Sequence, residues 1–274
     1  MLAVVVPARN QEHSIRKVLY NLHAINPDLV ILVINGCTDN TLAAAQLHKK
    51  KNVRILHFEE PLGIDVPRAV GALYAFRENA SRVLFVDGDM IGSFQKNLLE
   101  LDAALKNGVH MALTNCYPYI KVRQPLTSTM LQFRARVNHS LGKFTDLGLA
   151  SPSHGPHGVS RQIFNTLSIK ELAIPPVSLV LSHVVGLNIK VATALPHASL
   201  GSPAKGNIHS EKIVATLIGD CLEALCIIDN KPRCRNWRGK EYDGYHHQRR
   251  LDIVEELIRH DGPWPVLSSS PTML

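Results

Sequence analysis

Three polar runs stand out in the first third of the chain: Pro7-Ala8-Arg9-Asn10-Gln11-Glu12, Asn35-Gly36-Cys37-Thr38-Asp39-Asn40 and Asp87-Gly88-Asp89. The two carboxylates of the last run, separated by one glycine, offer hard oxygen ligands to Mg2+ or Mn2+. A cation held there bridges phosphate groups and neutralises charge on a departing nucleotide diphosphate. Taken alone, an Asp-Gly-Asp triplet is more often a turn than a ligand set. Its meaning depends on whether the other two runs lie beside it.

Their placement follows from the flanking elements. Leu2–Val6, Leu29–Ile34, Val53–Phe58 and Val83–Val86 are short and rich in Val, Ile and Leu, as strands buried on both faces are. Ile15, Val18, Leu19, Leu22 and Ile25 recur at helical spacing after the first strand, and Ala69, Leu73 and Phe76 do so before the fourth. A helix through Phe94, Leu98, Leu101 and Leu105 then leads to a fifth apolar run, Val109–Leu113. Strands alternating with helices predict an α/β fold with a mostly parallel central sheet flanked by helices. Ligands in such sheets bind at the carboxyl ends of the strands. Each polar run follows a strand, so all three are expected at one edge.

The second half is less regular. It predicts a helix over Leu126–Leu141, a Gly/Pro/His-rich loop over Ser151–Gly158 that interrupts secondary structure, and a capping box formed by Ser168 and Glu171. Further elements are a helix opening at Pro175-Pro176 and ending near Gly186, a strand Ile189–Ala194 and a long amphipathic helix Asn207–Ile228. Lys231, Arg233, Arg235, Arg238 and Lys240 then precede a last helix containing Leu251, Val254, Leu257 and Ile258.

With 274 residues and 45% hydrophobic content, the chain can bury a full core. Its net charge of +7 suits phosphate-bearing ligands or anionic surfaces. Nucleic acid is not expected, because aromatics are only 5% and neither zinc-finger spacing nor an aromatic-rich RNA-binding motif is present. Cys37, Cys116, Cys221, Cys226 and Cys234 are odd in number and scattered, which fits reduced thiols. Leu2–Val6 is too short for a signal peptide, and no apolar stretch approaches the roughly 20 residues that span a bilayer. A cytoplasmic protein, soluble or peripheral to the membrane, is the expectation.

The runs VVVPARNQEHSI, VINGCTDNT, PRAVGA and FVDGDM follow one another between Val4 and Met90. In order and spacing they resemble glycosyltransferase family 2 and its retaining relatives, enzymes of the GT-A fold. The resemblance implies transfer of a sugar from a UDP- or GDP-linked donor to a hydroxyl acceptor. It implies that Pro7, Ala8, Arg9, Glu12, Asn35 and Gly36 hold the nucleotide, that Arg68 meets the diphosphate or base, and that Asp87, Gly88 and Asp89 hold metal and ribose. Ile34 departs from the pattern, standing where many members carry an acidic residue against the base, so the choice of base stays open.

The segment LPHASLGSPAKGNIHSEKIVATLI is similar, more loosely, to the retaining glucosyl-3-phosphoglycerate synthases and their kin. In those enzymes a histidine ahead of the long C-terminal helix joins the second aspartate on the metal, which points to His197, with His209 the alternative. Imidazole is a sensible partner for carboxylates on Mn2+. In the wider family, the loop matching Gly155-Pro156-His157-Gly158 meets the acceptor and donor sugar. His157 and Arg161 are therefore expected to touch an acceptor, which can itself be phosphorylated; His154 lies in the same loop.

An inverting transferase needs a carboxylate base. Family 2 places it at the start of the helix that here opens Pro175-Pro176-Val177-Ser178, where no acid stands. Either Glu171 or Asp146 substitutes, or the reaction retains configuration, which is the favoured expectation. A sugar nucleotidyltransferase and a binding protein without turnover are the competing readings. The organisation expected is one GT-A catalytic domain over 1–230, with a nucleotide-sugar half at 1–115 and an acceptor half at 116–230. Residues 231–274 form a basic helical extension, solvated or facing a membrane or polyphosphate acceptor; a homodimer is compatible with this organisation.

Overall fold

The computed structural model describes residues 1–48, 50–119, 125–203, 206–259 and 264–265, with the backbone alone at 125 and 126. Strands β1 (Leu2–Ala8), β2 (Leu29–Asn35), β3 (Val53–Phe58) and β4 (Arg82–Phe85) run parallel. β6 (His157–Ser160) is antiparallel to β4 and to β5 (Met111–Asn115), while β7 (Ile189–Ala194) is parallel to β5. The sheet order is β3-β2-β1-β4-β6-β5-β7.

Helices cover both faces because successive side chains of a strand point to opposite sides. Val4 and Val6 of β1 pack with α1 (Ile15–His23), α2 (Thr41–Leu47) and α4 (Gln95–Lys106). Ala3 and Val5 pack with α3 (Val66–Arg77) on the other side. Each such buried Val or Leu is worth about 1.5–3 kcal/mol, so β1 reads as an uninterrupted apolar run. A third cluster joins α5 (Pro125–Ser140), α8 (Pro175–Val184) and α9 (Asn207–Ile228). Between α5 and α8 lie the short helices α6 (Phe144–Leu147) and α7 (Arg161–Thr166).

Two expectations need correction. The loop over Ser151–Gly158 ends in a strand, β6, whose four residues include one apolar side chain, too few for a periodic signal. Ser168 makes no side-chain cap bond; the segment is a short 3-10 helix, Ile169–Ala173, and the Glu171 carboxylate accepts from Arg233 Nη2 at 2.8 Å.

Beyond α9 the chain makes a small hairpin, β8 (Asn236–Trp237) and β9 (Lys240–Glu241), then α10 (Leu251–Arg259), which packs against α3 and the 3-10 helix 169–173. Of the expected extension, 260–263 and 266–274 lie outside the described residues. Among the described residues no helix is long and apolar enough to cross a membrane.

Candidate active site

Every strand of the seven-stranded sheet but β6 runs the same way, so the carboxyl ends of β1, β2, β4, β5 and β7 share an edge with the start of β6. That edge gathers the loops 9–14, 36–40, 87–93, 116–119, 151–156 and 195–203. The convergence expected of the three polar runs is therefore a consequence of sheet topology.

The first two runs are stitched together. Gln11 N donates to Thr41 Oγ1 at 2.6 Å, Glu12 N to Asp39 Oδ2 at 3.1 Å, and Asn40 N to Glu12 Oε2 at 3.0 Å. Burial would raise the Asp39 carboxyl, but hydrogen bonds from Thr41 and Glu12 outweigh it and hold the group below its ordinary value. Pro7 is half-buried and Ala8 buried, while Arg9 is exposed at the rim. Asn35 faces the neighbouring loop: its Oδ1 accepts from Leu62 N at 2.6 Å and its Nδ2 donates to Gly63 O at 3.2 Å. Gly36 adopts a left-handed φ of +56°, with Pro61 N 2.6 Å from where a Cβ would stand, so only glycine fits.

The acidic turn is anchored from β1 and α1. Gly88 N donates to Pro7 O at 3.0 Å, and Ser14 Oγ donates to Gly88 O at 2.7 Å. Arg68 Nη2 donates to both oxygens of Asp87, at 2.6 and 2.8 Å, leaving that side chain 31% exposed. Asp89 is buried and accepts from Ser202 Oγ at 3.2 Å. The Ser202 segment is tied down by Gly92 N to Leu200 O at 2.9 Å and by His197 N to Cys116 O at 3.0 Å. Asp89 and His197 thus sit on one connected frame.

His197 Nδ1 lies 3.0 Å from His154 Nε2, and Tyr117 stacks on both imidazoles with ring centroids 5.3 Å from His154 and 6.3 Å from His197. Burial first, then the charges of Arg134 and His197, hold His154 well below its ordinary 6.5. Burial pushes the Cys116 thiol up to about 12, so it is no anionic ligand. The donors at this edge, two carboxylates and an imidazole, fit Mn2+ or Mg2+. They are not drawn into one tight cluster. Among the described residues the one trio of ligand-type groups within 4.8 Å is Asp220, Glu223 and His246. Arg235 and Arg249 already neutralise those carboxylates, which makes that trio an ionic cluster.

The acceptor residues fare differently. His157 is 5% exposed and stacks on Phe85 at 4.8 Å, and burial followed by the Arg68 charge lowers it to about 3. It forms the layer beneath the edge. The expectation for Arg161 is corrected. β6 starts at the site, so Arg161 emerges at the opposite edge, about 13 Å away at the usual strand rise. There its N donates to Ser81 O at 2.8 Å, its Nη1 to Ala80 O at 3.2 Å, and its guanidinium covers the Phe76 ring at 4.3 Å. His209 faces the Tyr245 hydroxyl at 3.0 Å. Exposed Asp146 pairs with Lys143 at 3.4 Å.

Sequence reasoning missed Tyr117, Asp65 and Arg134. Arg134, on α5, is 2% exposed, and its Nε, Nη1 and Nη2 have no hydrogen-bond partner among the described residues. The signal was present: Met130, Phe133 and Val137 form an apolar stripe, and Arg134, four residues after Met130, puts a charge on it.

The sequence matches glycosyl transferase family 2 over residues 3–167, more than half of the 274-residue chain. The chain belongs to glycosyltransferase family 2. The matched span contains Arg68 and the Asp87-Gly88-Asp89 turn and stops before His197. No curated protein matches the chain by sequence. Among solved structures it is similar to mannosyl-3-phosphoglycerate synthase from Rubrobacter xylanophilus, with TM-score 0.61 and 15% identity over 89% of this chain and 79% of that one. It is also similar to glucosyl-3-phosphoglycerate synthase from Mycobacterium tuberculosis, with TM-score 0.58 and 15% identity over 85% and 81%. The same enzyme in complex with Mn2+, UDP and glucosyl-3-phosphoglycerate gives TM-score 0.55 and 18% identity over 81% and 80%. At these low identities the structural likeness shows the fold, GT-A, and nothing finer. Family membership makes the protein a glycosyltransferase that uses a nucleotide-sugar donor.

Proposed function

We propose that this family 2 enzyme transfers a sugar from a UDP- or GDP-linked donor to an anionic hydroxyl acceptor, with a divalent cation at Asp89 and His197 and with retention of configuration. The observation that carries the reading is the meeting, at one sheet edge, of the anchored Asp87-Gly88-Asp89 turn with the Ser202 and His197 segment. Residues 1–115 would carry the donor and 116–230 the acceptor.

Bound there, Mn2+ or Mg2+ would offset the charge gathering on the diphosphate. Asp87 would orient ribose or cation-bound water, and exposed Arg9 would counter phosphate charge at the rim. The bond between the anomeric carbon and the diphosphate breaks, with its electron pair going to the phosphate oxygen. The acceptor oxygen bonds to that carbon on the same face, and its proton passes to the leaving phosphate. Retention is supported by the ion pairs of both carboxylates considered as bases: Glu171 is held by Arg233, and Asp146 by Lys143.

An anionic acceptor is supported by Arg134, because a buried guanidinium whose nitrogens find no hydrogen-bond partner among the described residues is costly unless an anion joins it. The product bound by the Mycobacterium tuberculosis enzyme, glucosyl-3-phosphoglycerate, is of that class. The test is to incubate the protein with Mn2+ and UDP- or GDP-linked glucose, mannose and N-acetylglucosamine, with and without phosphorylated and carboxylated hydroxy compounds. Acceptor-dependent release of one nucleotide, with the anomeric configuration read by NMR, is the expected result. No release from any donor overturns the reading.

A further inference from the structure

Asp87 is one end of a buried chain of charges that runs out of the donor edge and under the C-terminal segment. Arg68 Nη2 holds Asp87, and Arg68 Nη1 donates to Asp65 Oδ1. Asp65 Oδ2 accepts from Arg249 Nη2 at 3.2 Å. Arg249 grips Asp220 through two bonds, at 2.6 and 2.7 Å, and Arg235 Nη1 bridges Asp220 at 2.8 Å and Glu223 at 2.6 Å. The Arg249 and Asp220 side chains are 0% exposed.

The backbone is arranged to keep this contact. Asp65 has a left-handed φ of +61°, a strained choice for a residue with a side chain. Its loop is trapped between Asn35 and the C-terminal segment, with Arg250 N donating to Leu62 O at 2.9 Å. A Cβ on Gly63 would lie 2.3 Å from Gln248 O, so the loop rests directly on that segment.

The charge count gives the chain a direction. Arg68, Arg249 and Arg235 match Asp65, Asp220 and Glu223, and the surplus carboxylate is Asp87, the member most open to solvent. Asp65 and Asp87 compete for one guanidinium. The stronger the hold of Asp65 on Arg68, the less of that charge falls on Asp87, and the more negative the edge that a divalent cation meets. Arg249 works in the opposite sense, because it neutralises Asp65.

We infer that Asp65 and Arg249 are positioning residues of the donor site, which set the share of Arg68 that reaches Asp87 and so the affinity for the metal–diphosphate pair. This rests on the reading of Asp87 and Asp89 as the donor site. It makes the C-terminal segment 235–249 part of donor binding, although it lies outside the span that matches the family.

The experiment is a Mn2+ titration of the full chain by electron paramagnetic resonance, with UDP and in parallel with GDP, on wild type, Asp65→Asn and Arg249→Met. Asp65→Asn gives Arg68 wholly to Asp87 and is expected to weaken Mn2+ binding roughly tenfold, a common size for coupling between sites. Arg249→Met leaves Asp65 without its outer partner and is expected to keep or tighten Mn2+ binding. If Arg249→Met does not fold, Arg249→Lys carries the same sign, because one ammonium cannot span Asp65 and Asp220 together. A purely structural role predicts loss in both variants, in step with their thermal midpoints. Equal loss in both, or no change in Asp65→Asn, overturns the inference. A wild type that takes up no Mn2+ with either nucleotide overturns the donor-site reading itself, and this inference with it.

Discussion

His197 Nδ1 and His154 Nε2 stand 3.0 Å apart, close enough that a single proton must be shared between two rings. Burial, followed by the Arg134 charge, lowers the His154 pKa; in the tautomer with its proton on Nδ1, the His154 Nε2 is the acceptor. His197 then carries its proton on Nδ1 and is left with the lone pair on Nε2. Metal-binding histidines are oriented in this way by the partner of their other nitrogen. His154 would thus select the tautomer of His197 that can ligate.

Replacing His154 with Phe keeps a ring for Tyr117 to stack on and removes the acceptor. Mn2+ affinity is expected to fall 10- to 100-fold, a range typical of lost outer partners of metal ligands, while the thermal midpoint moves by only a few degrees. Unchanged Mn2+ affinity by electron paramagnetic resonance would show that the pair does not prepare a ligand.

Asp89 should separate chemistry from folding. It accepts a hydrogen bond from Ser202 Oγ, and losing a bond of that kind costs about 1 kcal/mol. Asp89→Ala is therefore expected to shift the thermal midpoint by about 2–4 °C and to reduce nucleotide release at least about 100-fold. Cooperative unfolding of the variant at room temperature would mean that the turn serves the fold instead.

How much of this could be read beforehand depended on the range of each signal. β1, β2, β3 and the long helix Asn207–Ile228 were legible because each is a local apolar pattern. The placing of the loops that carry Asp39, Glu12 and Asp87 at one sheet edge followed from strand direction alone. β6 was not legible, since its four residues gain their meaning from pairing with β4 and β5. Its reversed direction is also what sent Arg161 to the wrong edge. Asp65 and Arg249 are 184 residues apart, and no periodicity in sequence announces such a contact. Arg134 is the exception: a charge set on the apolar stripe of Met130, Phe133 and Val137 is visible in the sequence itself.

Arg134 carries a prediction of opposite sign for stability and for binding. Arg134→Met removes a buried guanidinium that has no hydrogen-bond partner among the described residues, and replacing buried charged groups with apolar side chains of similar size can stabilise by about 1–4 kcal/mol. The variant should therefore melt higher. Inorganic phosphate should stabilise the wild type and leave the variant unmoved, because the anion has lost its partner. A variant that melts lower and still responds to phosphate would remove Arg134 from the acceptor argument.

His157 predicts a pH dependence of stability. The unfolded chain protonates this ring near 6.5, while burial and then Arg68 lower it to about 3 in the folded protein. Between those values the unfolded state binds the extra proton, so stability falls as the pH drops, by about 1.4 kcal/mol per unit from this group. Above 6.5 its contribution is complete and flat. His157→Phe keeps a ring against Phe85 and cannot titrate, so any cost of the substitution should be largest near pH 7.5 and shrink steadily towards pH 4.5. Urea unfolding of both proteins across that interval measures the difference. A gap between them that stays constant with pH would mean that His157 is not held neutral beneath the active-site edge.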